Sequence, residues 1–409
     1  MKVSHKKFLF VSTTCYFDTN NGASVACRSL MECLSRSGRI AAALTGTVFE
    51  SHHEVDLAEF LAGEGICPEV GLAAPHGVGS DTLRLEVRGV SVRLAGSQGA
   101  RLHDPDEPER RRFLALFEEV TDRFSPDVVV TYGGDTLARQ IRAMARAKGA
   151  IVVFALHNFN YRDLSAFEDV DSIFVPSRFA ASFYRSKLGL DCHPLPNLID
   201  FDRARALTRN PSYVTFINPS YEKGVFIFAR IADELGRRRP DIPLLVVEGR
   251  GSERILVNCG LDLRSHGNVN MVDHVPDVRD VWGLTKICLM PSVWWESQGL
   301  VAIEAMINGI PVLGADRGAL PETLGDGGIV LPIPPRLTPA TSELPTAAEV
   351  EPWVKAIIGL WDDPAWYAEQ GRRALAETAR WTPEVLEPRY TRFFDEVRGL
   401  SASGASRGV

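Results

Sequence analysis

No C-x-x-C pair occurs in this sequence, and its seven cysteines (Cys15, Cys27, Cys33, Cys67, Cys192, Cys259 and Cys288) are scattered. That spacing fits neither a zinc ribbon nor a disulfide framework, so reduced thiols in a cytoplasm are expected. No apolar run reaches the roughly 18 residues of a membrane span. The first short run, Phe8–Ser12, follows basic residues as a signal peptide would, but it stops at Thr13 and Thr14. A signal needs about 7–15 apolar residues, so a first β-strand fits better. A basic excess is missing too: 45 Lys and Arg against 52 Asp and Glu leave −7. This argues against a general nucleic-acid binder and against an anionic membrane surface as partner. Lysine itself is scarce, with 8 residues against 37 arginines, which makes each lysine worth noticing.

Several functional motifs are also lacking. There is no P-loop, and Gly249-Arg-Gly251 lacks the third glycine of a dinucleotide fingerprint. Gly22-Ala-Ser-Val-Ala26 ends in alanine and sits too far beyond its strand for a nucleophile elbow. Two D-x-D matches, Asp104-Pro-Asp106 and Asp169-Val-Asp171, read as a helix cap and a strand start. No His, Cys and carboxylate cluster has metal spacing, and His52-His53-Glu54 reads as a surface run.

What is present is ordinary globular composition over 409 residues, 45% hydrophobic and 24% charged, enough for two or three domains. Short apolar runs alternate with amphipathic stretches. Strands are expected at Lys7–Ser12, Ile40–Leu44, Pro126–Asp135, Ile151–Leu156 and Ser172–Val175, with helices at Ala23–Ser37, Glu109–Phe124, Thr136–Lys148 and Ser177–Leu188. Residues 50–110 are less regular, apart from a hairpin pattern in Arg84–Leu94. A second series runs through Val214–Ile217, Gly224–Arg238, the strand IPLLVVEG, Val278–Leu284, ICLMPS, Gly299–Asn308 and IPVLG. Two strand–helix series predict an α/β protein of two Rossmann-like, doubly wound domains. The Pro-rich stretch Pro194–Asp202 is the expected hinge. The expected organisation is 1–199 and 200–383, with a C-terminal helix near 384–400 and a disordered tail at 401–409. Leu331–Pro345, with five prolines, is expected to be a surface loop.

Ligands of open α/β sheets bind beyond the carboxyl ends of the strands, so the residues that follow each strand matter most. From Gly299 to Ala315, 17 residues carry a single charge, Glu304. An unpaired carboxylate in an apolar helix is costly. A salt bridge to Arg or Lys, or a capping bond, would satisfy it; so would two vicinal hydroxyls of a ribose. Glu296 precedes it by eight positions, and Ser297, Gln298, Gly299 and Leu300 open the helix, where free N–H groups suit an anion. Lys223, in Asn218-Pro-Ser-Tyr-Glu-Lys-Gly224, also sits at a helix start, a misfit with the dipole that favours a functional reading. His157 ends a strand, as does Tyr132-Gly133-Gly134-Asp135.

The pattern P-S-x-x-x-E-S-Q-G-L-V-x-x-E-A-M-x-x-G-x-P-V resembles the E-x7-E region of retaining GT-B glycosyltransferases of family 4. The resemblance implies a GT-B fold whose two domains face a cleft, with the C-terminal helix returning to the N-terminal, acceptor-binding domain. It implies a retaining, metal-independent transfer from a nucleoside-diphosphate sugar, with no cofactor. Glu304 would hold the ribose, while Lys223, Asn218 and the amides of Ser297–Leu300 would hold the diphosphate, with Gly22 near it. Glu296 and His157 would position the sugar, and the backbone near Val275 and Pro276 would meet the base. Asn21, Tyr132, Gly133 and Asp135 are acceptor-side candidates, and Asn197-Leu-Ile-Asp200 matches the family hinge. The family usually carries Phe where Gln298 stands, and Arg where Asn218 stands. Expected partners are the nucleotide-sugar and a soluble small-molecule acceptor, as in natural-product or thiol biosynthesis, without nucleic acid or membrane. Oligomeric state stays open, a homodimer included. A nucleotide-sugar epimerase or a non-catalytic nucleotide-sugar-binding protein is the competing reading.

Overall fold

The structure, a computed structural model, describes residues 6–403 except 20, 51–54, 68–81, 97–104, 250, 252, 258, 274 and 276. Asn20, His52–Glu54, Asp104, Arg250 and Pro276, and residues 404–409 of the expected tail, therefore lie outside the described residues. The chain forms two compact units. One comprises Met1–Pro176, Ala181–Leu198 and Leu386–Val409; the other comprises Ser177–Ala180 and Ile199–Val385.

The first unit runs β1 (Lys7–Thr14), α1 (Gly22–Arg36), β2 (Ile40–Val48), α2 (Leu57–Gly63), β3 (Thr82–Val87), β4 (Val90–Ala95), α3 (Glu107–Phe124), β5 (Val128–Thr131), α4 (Thr136–Ala147), β6 (Ile151–Ala155), β7 (Ser172–Val175), α5 (Arg178–Leu188, whose first three residues fall to the second unit) and β8 (His193–Pro194). Its sheet has the order β3-β4-β2-β1-β5-β6-β7-β8. All pairs are parallel except β3 with β4, the hairpin expected from the alternation in Arg84–Leu94. Parallel strands covered on both faces need continuous apolar runs, which Val128–Val130 and Ile151–Ala155 supply, all buried.

The second unit runs α6 (Phe201–Ala204), β9 (Tyr213–Ile217), α7 (Val225–Arg238), β10 (Leu244–Val247), α8 (Glu253–Val257), β11 (Val269–Val272), α9 (Val278–Leu284), β12 (Thr285–Met290), α10 (Leu300–Ile307), β13 (Val312–Ala315), α11 (Leu320–Leu324), β14 (Ile329–Leu331), α12 (Ala347–Asp362) and α13 (Pro364–Glu377). Its sheet is wholly parallel, in the order β11-β10-β9-β12-β13-β14. Between β14 and α12 the proline-rich segment is held by side chains: Arg317 donates to the carbonyls of Ile333 and Pro334, Arg230 to that of Pro345, and the Trp353 indole to that of Pro332.

The last helix, α14 (Pro383–Ser403), belongs to the first unit from Leu386 onward. Its Tyr390 hydroxyl donates to the carbonyls of Pro196 and Leu195, and Phe394 packs edge-on against Phe8 of β1 at 5.4 Å. The helix continues through Ser403, so residues 401–403 are helical and not a disordered tail.

Candidate active site

Topology selects where to look. In the second sheet the chain leaves β9 for β10 and β11 on one side, then crosses to β12 on the other, so β9 and β12 flank the switch point. The two strands pair in parallel, Thr215 beside Cys288 and Phe216 beside Leu289, and their carboxyl ends emerge side by side. The segments that follow are residues 218–224 and 291–300, which contain Asn218, Lys223, Glu296 and Gly299.

These segments are in contact because two positions lack a side chain. At Gly224 (φ +81°) a Cβ would lie 1.9 Å from the Pro291 carbonyl oxygen. At Gly318 (φ +60°) a Cβ would lie 2.5 Å from the Glu296 nitrogen. Hydrogen bonds complete the clamp. The N–H groups of Val293 and Trp294 both donate to the Glu222 carbonyl at 3.0 Å, Ala319 N–H donates to the Glu296 carbonyl at 2.8 Å, and the Thr323 hydroxyl donates to the Gln298 carbonyl. Gly224→Ala should therefore cost at least about 1–3 kcal/mol, from strain at positive φ plus the collision. A urea midpoint unchanged in that variant would contradict the close contact.

The clamp presents one charged pair. Lys223 Nζ donates to Glu296 Oε1 at 2.6 Å, and the Ser292 hydroxyl donates to the same oxygen at 2.8 Å. The sequence pointed to Lys223 and Glu296 separately, 73 positions apart, without the bond between them. Ser292 was missed as a partner, although its place four residues before Glu296 in the P-S-x-x-x-E pattern was the available signal.

Beside the pair, α7 and α10 begin on glycines in the left-handed region, Gly224 and Gly299 (φ +85°), and neither has a side-chain cap. By contrast Asn21, Asp106, Asp135, Thr346 and Asp363 cap α1, α3, α4, α12 and α13. In α7 the Val225 and Ile227 N–H groups donate to the carbonyls of Ser220 and Gly224, and in α10 the Ala302 N–H donates to that of Gly299. No side-chain cap competes for the Leu300 and Val301 N–H groups at the start of α10, which suits an anionic ligand.

Glu304 lies one turn into α10, among buried Ile303, Ala305 and Met306. Among the described residues no Arg, Lys or His comes within salt-bridge distance of it. Its own surface is partly accessible, yet surrounding protein crowds the carboxyl and burial pushes it up to about 7. The Trp282 indole N–H is also buried and has no hydrogen-bond partner within reach. Of the explanations open from the sequence, the salt bridge is absent among the described residues.

The other candidates occupy varied settings. Asn218 is left-handed (φ +64°), which asparagine tolerates, and its Oδ1 accepts from Gly251 N–H at 2.6 Å. It ties down the loop after β10. Gln298 is buried, and Ser297 and Leu300 are half-buried. Val275 packs beside Leu245, Val247 and Val281.

In the first unit, His157 follows β6. Both its ring nitrogens are buried without hydrogen-bond partners, and burial pushes its pKa down to about 4, so the imidazole is neutral at pH 7. Asn21 caps α1 and donates to Glu50 at 2.6 Å, while a Cβ at Gly22 would meet nothing within 4 Å. The Tyr132 hydroxyl bonds with Ser12, Thr14 and Ser24. The Gly133 N–H and carbonyl are taken by Tyr161 and Arg142, and Asp135 caps α4. Along α4, Arg142 is buried against backbone carbonyls and Arg146 pairs with Asp171, and Lys148 just beyond it pairs with Asp122. Among the described residues no group of three His, Cys, Asp or Glu could hold a metal ion, and no helix is long and apolar enough to cross a membrane.

Residues 212–363 match the family model Glycosyl transferases group 1. The chain is 28% identical over 244 residues to the phosphatidyl-myo-inositol mannosyltransferase of Mycolicibacterium smegmatis, covering 56% of this chain and 59% of that relative's length. Sucrose-phosphate synthase from Thermosynechococcus elongatus superposes with a TM-score of 0.70 at 16% identity, over 96% of this chain and 99% of that one. Anabaena HepE, solved with UDP, gives a TM-score of 0.63 at 15% identity, over 95% of this chain and 100% of that one. At such identities the likeness shows the fold, and the fold is GT-B: two Rossmann-like α/β units.

Proposed function

We propose that the protein is a retaining, family 4-type glycosyltransferase that moves a sugar from a nucleoside-diphosphate sugar to a soluble small-molecule acceptor in the cytoplasm. The observation that carries this is Glu304, a carboxylate with no cationic partner among the described residues, one turn inside a helix whose first N–H groups are uncapped. Such a carboxylate suits the two hydroxyls of a ribose, and the helix start suits the diphosphate joined to it. The match over residues 212–363 supports the same reading.

In the transfer, the bond between the anomeric carbon and the phosphate oxygen breaks, and negative charge grows on the departing diphosphate. Lys223 and the amides at Gly299 and Leu300 face that charge, and stabilising it is the main catalytic contribution. Glu296 accepts from a sugar hydroxyl. The acceptor oxygen bonds to the anomeric carbon from the face the leaving group vacates, and its proton passes to the departing phosphate oxygen. With Lys223 and helix amides meeting the charge, the reading includes no metal.

The test is incubation with UDP- and GDP-sugars, following free nucleoside diphosphate and the anomeric configuration of the product by NMR, with and without EDTA. Release of diphosphate with retained configuration, unchanged by EDTA, is the expected outcome. Isomerised nucleotide-sugar without release would overturn it.

A further inference from the structure

Four strands form sheet edges: β3 and β8 in the first unit, β11 and β14 in the second. An open edge is a row of unpaired N–H and C=O groups, and proteins blunt such rows with short strands or proline. β8 has two residues, one of them Pro194, while β14 has three and β11 has four. β3 has six and no proline. Among the described residues its outer side pairs with no strand.

This edge is held still. β3 pairs with β4 from Thr82 opposite Ala95 to Val87 opposite Val90. Arg88 (φ +50°) and Gly89 (φ +75°) join the two strands, both left-handed, as in the two-residue turns whose twist matches a hairpin. The turn is pinned to α1: Arg88 pairs with Glu32 at 3.1 Å, and the Ser35 hydroxyl donates to the Gly89 carbonyl at 2.8 Å. Leu85 is buried, whereas Arg84 and Glu86, on the other face, are exposed. Among the described residues neither forms an ion pair. Arg84 lies opposite Arg93 of β4, and Arg93 and Arg123 already share Glu119, at 3.2 and 2.9 Å. Like charges directly opposite each other are unfavourable, so Arg84 lacks an anion.

We propose that the β3 edge is a homodimer interface, in which two copies of this chain pair antiparallel about Leu85 and join their eight-stranded sheets. In that register Arg84 of one copy lies opposite Glu86 of the other, Leu85 opposite Leu85, and Leu83 opposite Val87. The two-fold axis makes each unlike contact twice, so the edge complements itself. Pairing centred on Arg84 or on Glu86 would set like charges directly opposite, so the charge order selects one alignment. A second copy is the occupant that this order fits. The inference is independent of the transferase reading.

Sedimentation velocity of the full chain, from about 1 to 100 µM, should show monomer converting to dimer. Arg84→Glu sets carboxylates against each other at both symmetric positions, and Glu86→Arg does the same with guanidiniums. Each should weaken dimerisation about tenfold or more. Carrying both substitutions in one chain should restore the dimer with its charges reversed. Mixing the two single-variant proteins should give a one-to-one heterodimer, because each supplies the sign that the other lacks. A chain that stays monomeric at the highest concentration overturns the proposal. So does a dimer that either single variant leaves intact, since it uses another surface. Single variants whose loss is recovered neither by combination nor by mixing overturn it as well.

Discussion

Glu304→Gln should make the folded chain more stable above neutral pH while removing most of its turnover. The free carboxyl stands at about 7, against an ordinary 4.5, because burial disfavours its charge. A group held above its unfolded value contributes most to stability below about pH 4.5. That contribution falls away as pH rises towards 7, at about 1.4 kcal/mol per pH unit, and stays lost above it. Glutamine carries no charge to desolvate, so at pH 8 it should recover on the order of 1–3 kcal/mol. Its amide offers one accepting oxygen where the carboxylate offers two, and an NH2 donor faces a hydroxyl in place of the other, so kcat/KM should fall by orders of magnitude. The same logic gives a pH profile for the unmodified protein. Nucleotide binding favours the carboxylate, so affinity should climb as pH rises to about 7 and level off beyond, and Glu304→Gln should flatten that climb. Chemical denaturation at pH 5 and 8, with calorimetry across the same range, checks both. A variant less stable at pH 8 yet fully active would make Glu304 a structural acid.

The opposed effects follow from what the sequence could and could not convey. The apolar runs of β9, β10, β12 and β13 and the helices α7, α9 and α10 were legible because buried parallel strands need uninterrupted hydrophobic residues, whereas the five-residue α8 was not. Glu304 stood out as the single charge in such a run. The strands β8, β11 and β14 were not legible. Val269–Val272 contains Asn270 and is only partly buried, while His193–Pro194 and Ile329–Leu331 are too short to set a period. Nor was the order of the sheet, and with it the adjacency of residues 218–224 and 291–300, because strand pairing is fixed by packing and not by local pattern. The bond from Lys223 to Glu296 depends on that adjacency. On the first unit the sequence-level candidates fared differently: Asn21, Tyr132 and Asp135 are occupied by caps and hydroxyl bonds, the local chemistry such residues favour at helix starts and turns. His157 keeps both ring nitrogens unpartnered, which its position after β6 alone could not tell.

Lys223→Ala should lower kcat/KM by roughly 10²–10³-fold, the range seen when one preorganised group facing developing charge is removed. The loss should fall mainly on kcat, since the ammonium matters most as charge collects on the leaving diphosphate. Folding stability should also fall, by about 1–3 kcal/mol, because the lysine and glutamate side chains are only 26% and 14% exposed and the variant takes the ammonium from a largely covered carboxylate that also accepts from Ser292. The ion pair makes a sharper claim possible. Glu296 is held by Lys223 and Ser292 at one oxygen, so displacing either partner disturbs both. Glu296→Gln should also cost turnover, and the double variant should be scarcely worse than the worse single one, because the two side chains act as one unit. Lys223→Arg keeps the charge but spreads it over a planar fork, and should retain part of the activity. Strictly additive losses in the double-variant cycle would mean that the two residues serve separate steps, and would remove the diphosphate role from the lysine.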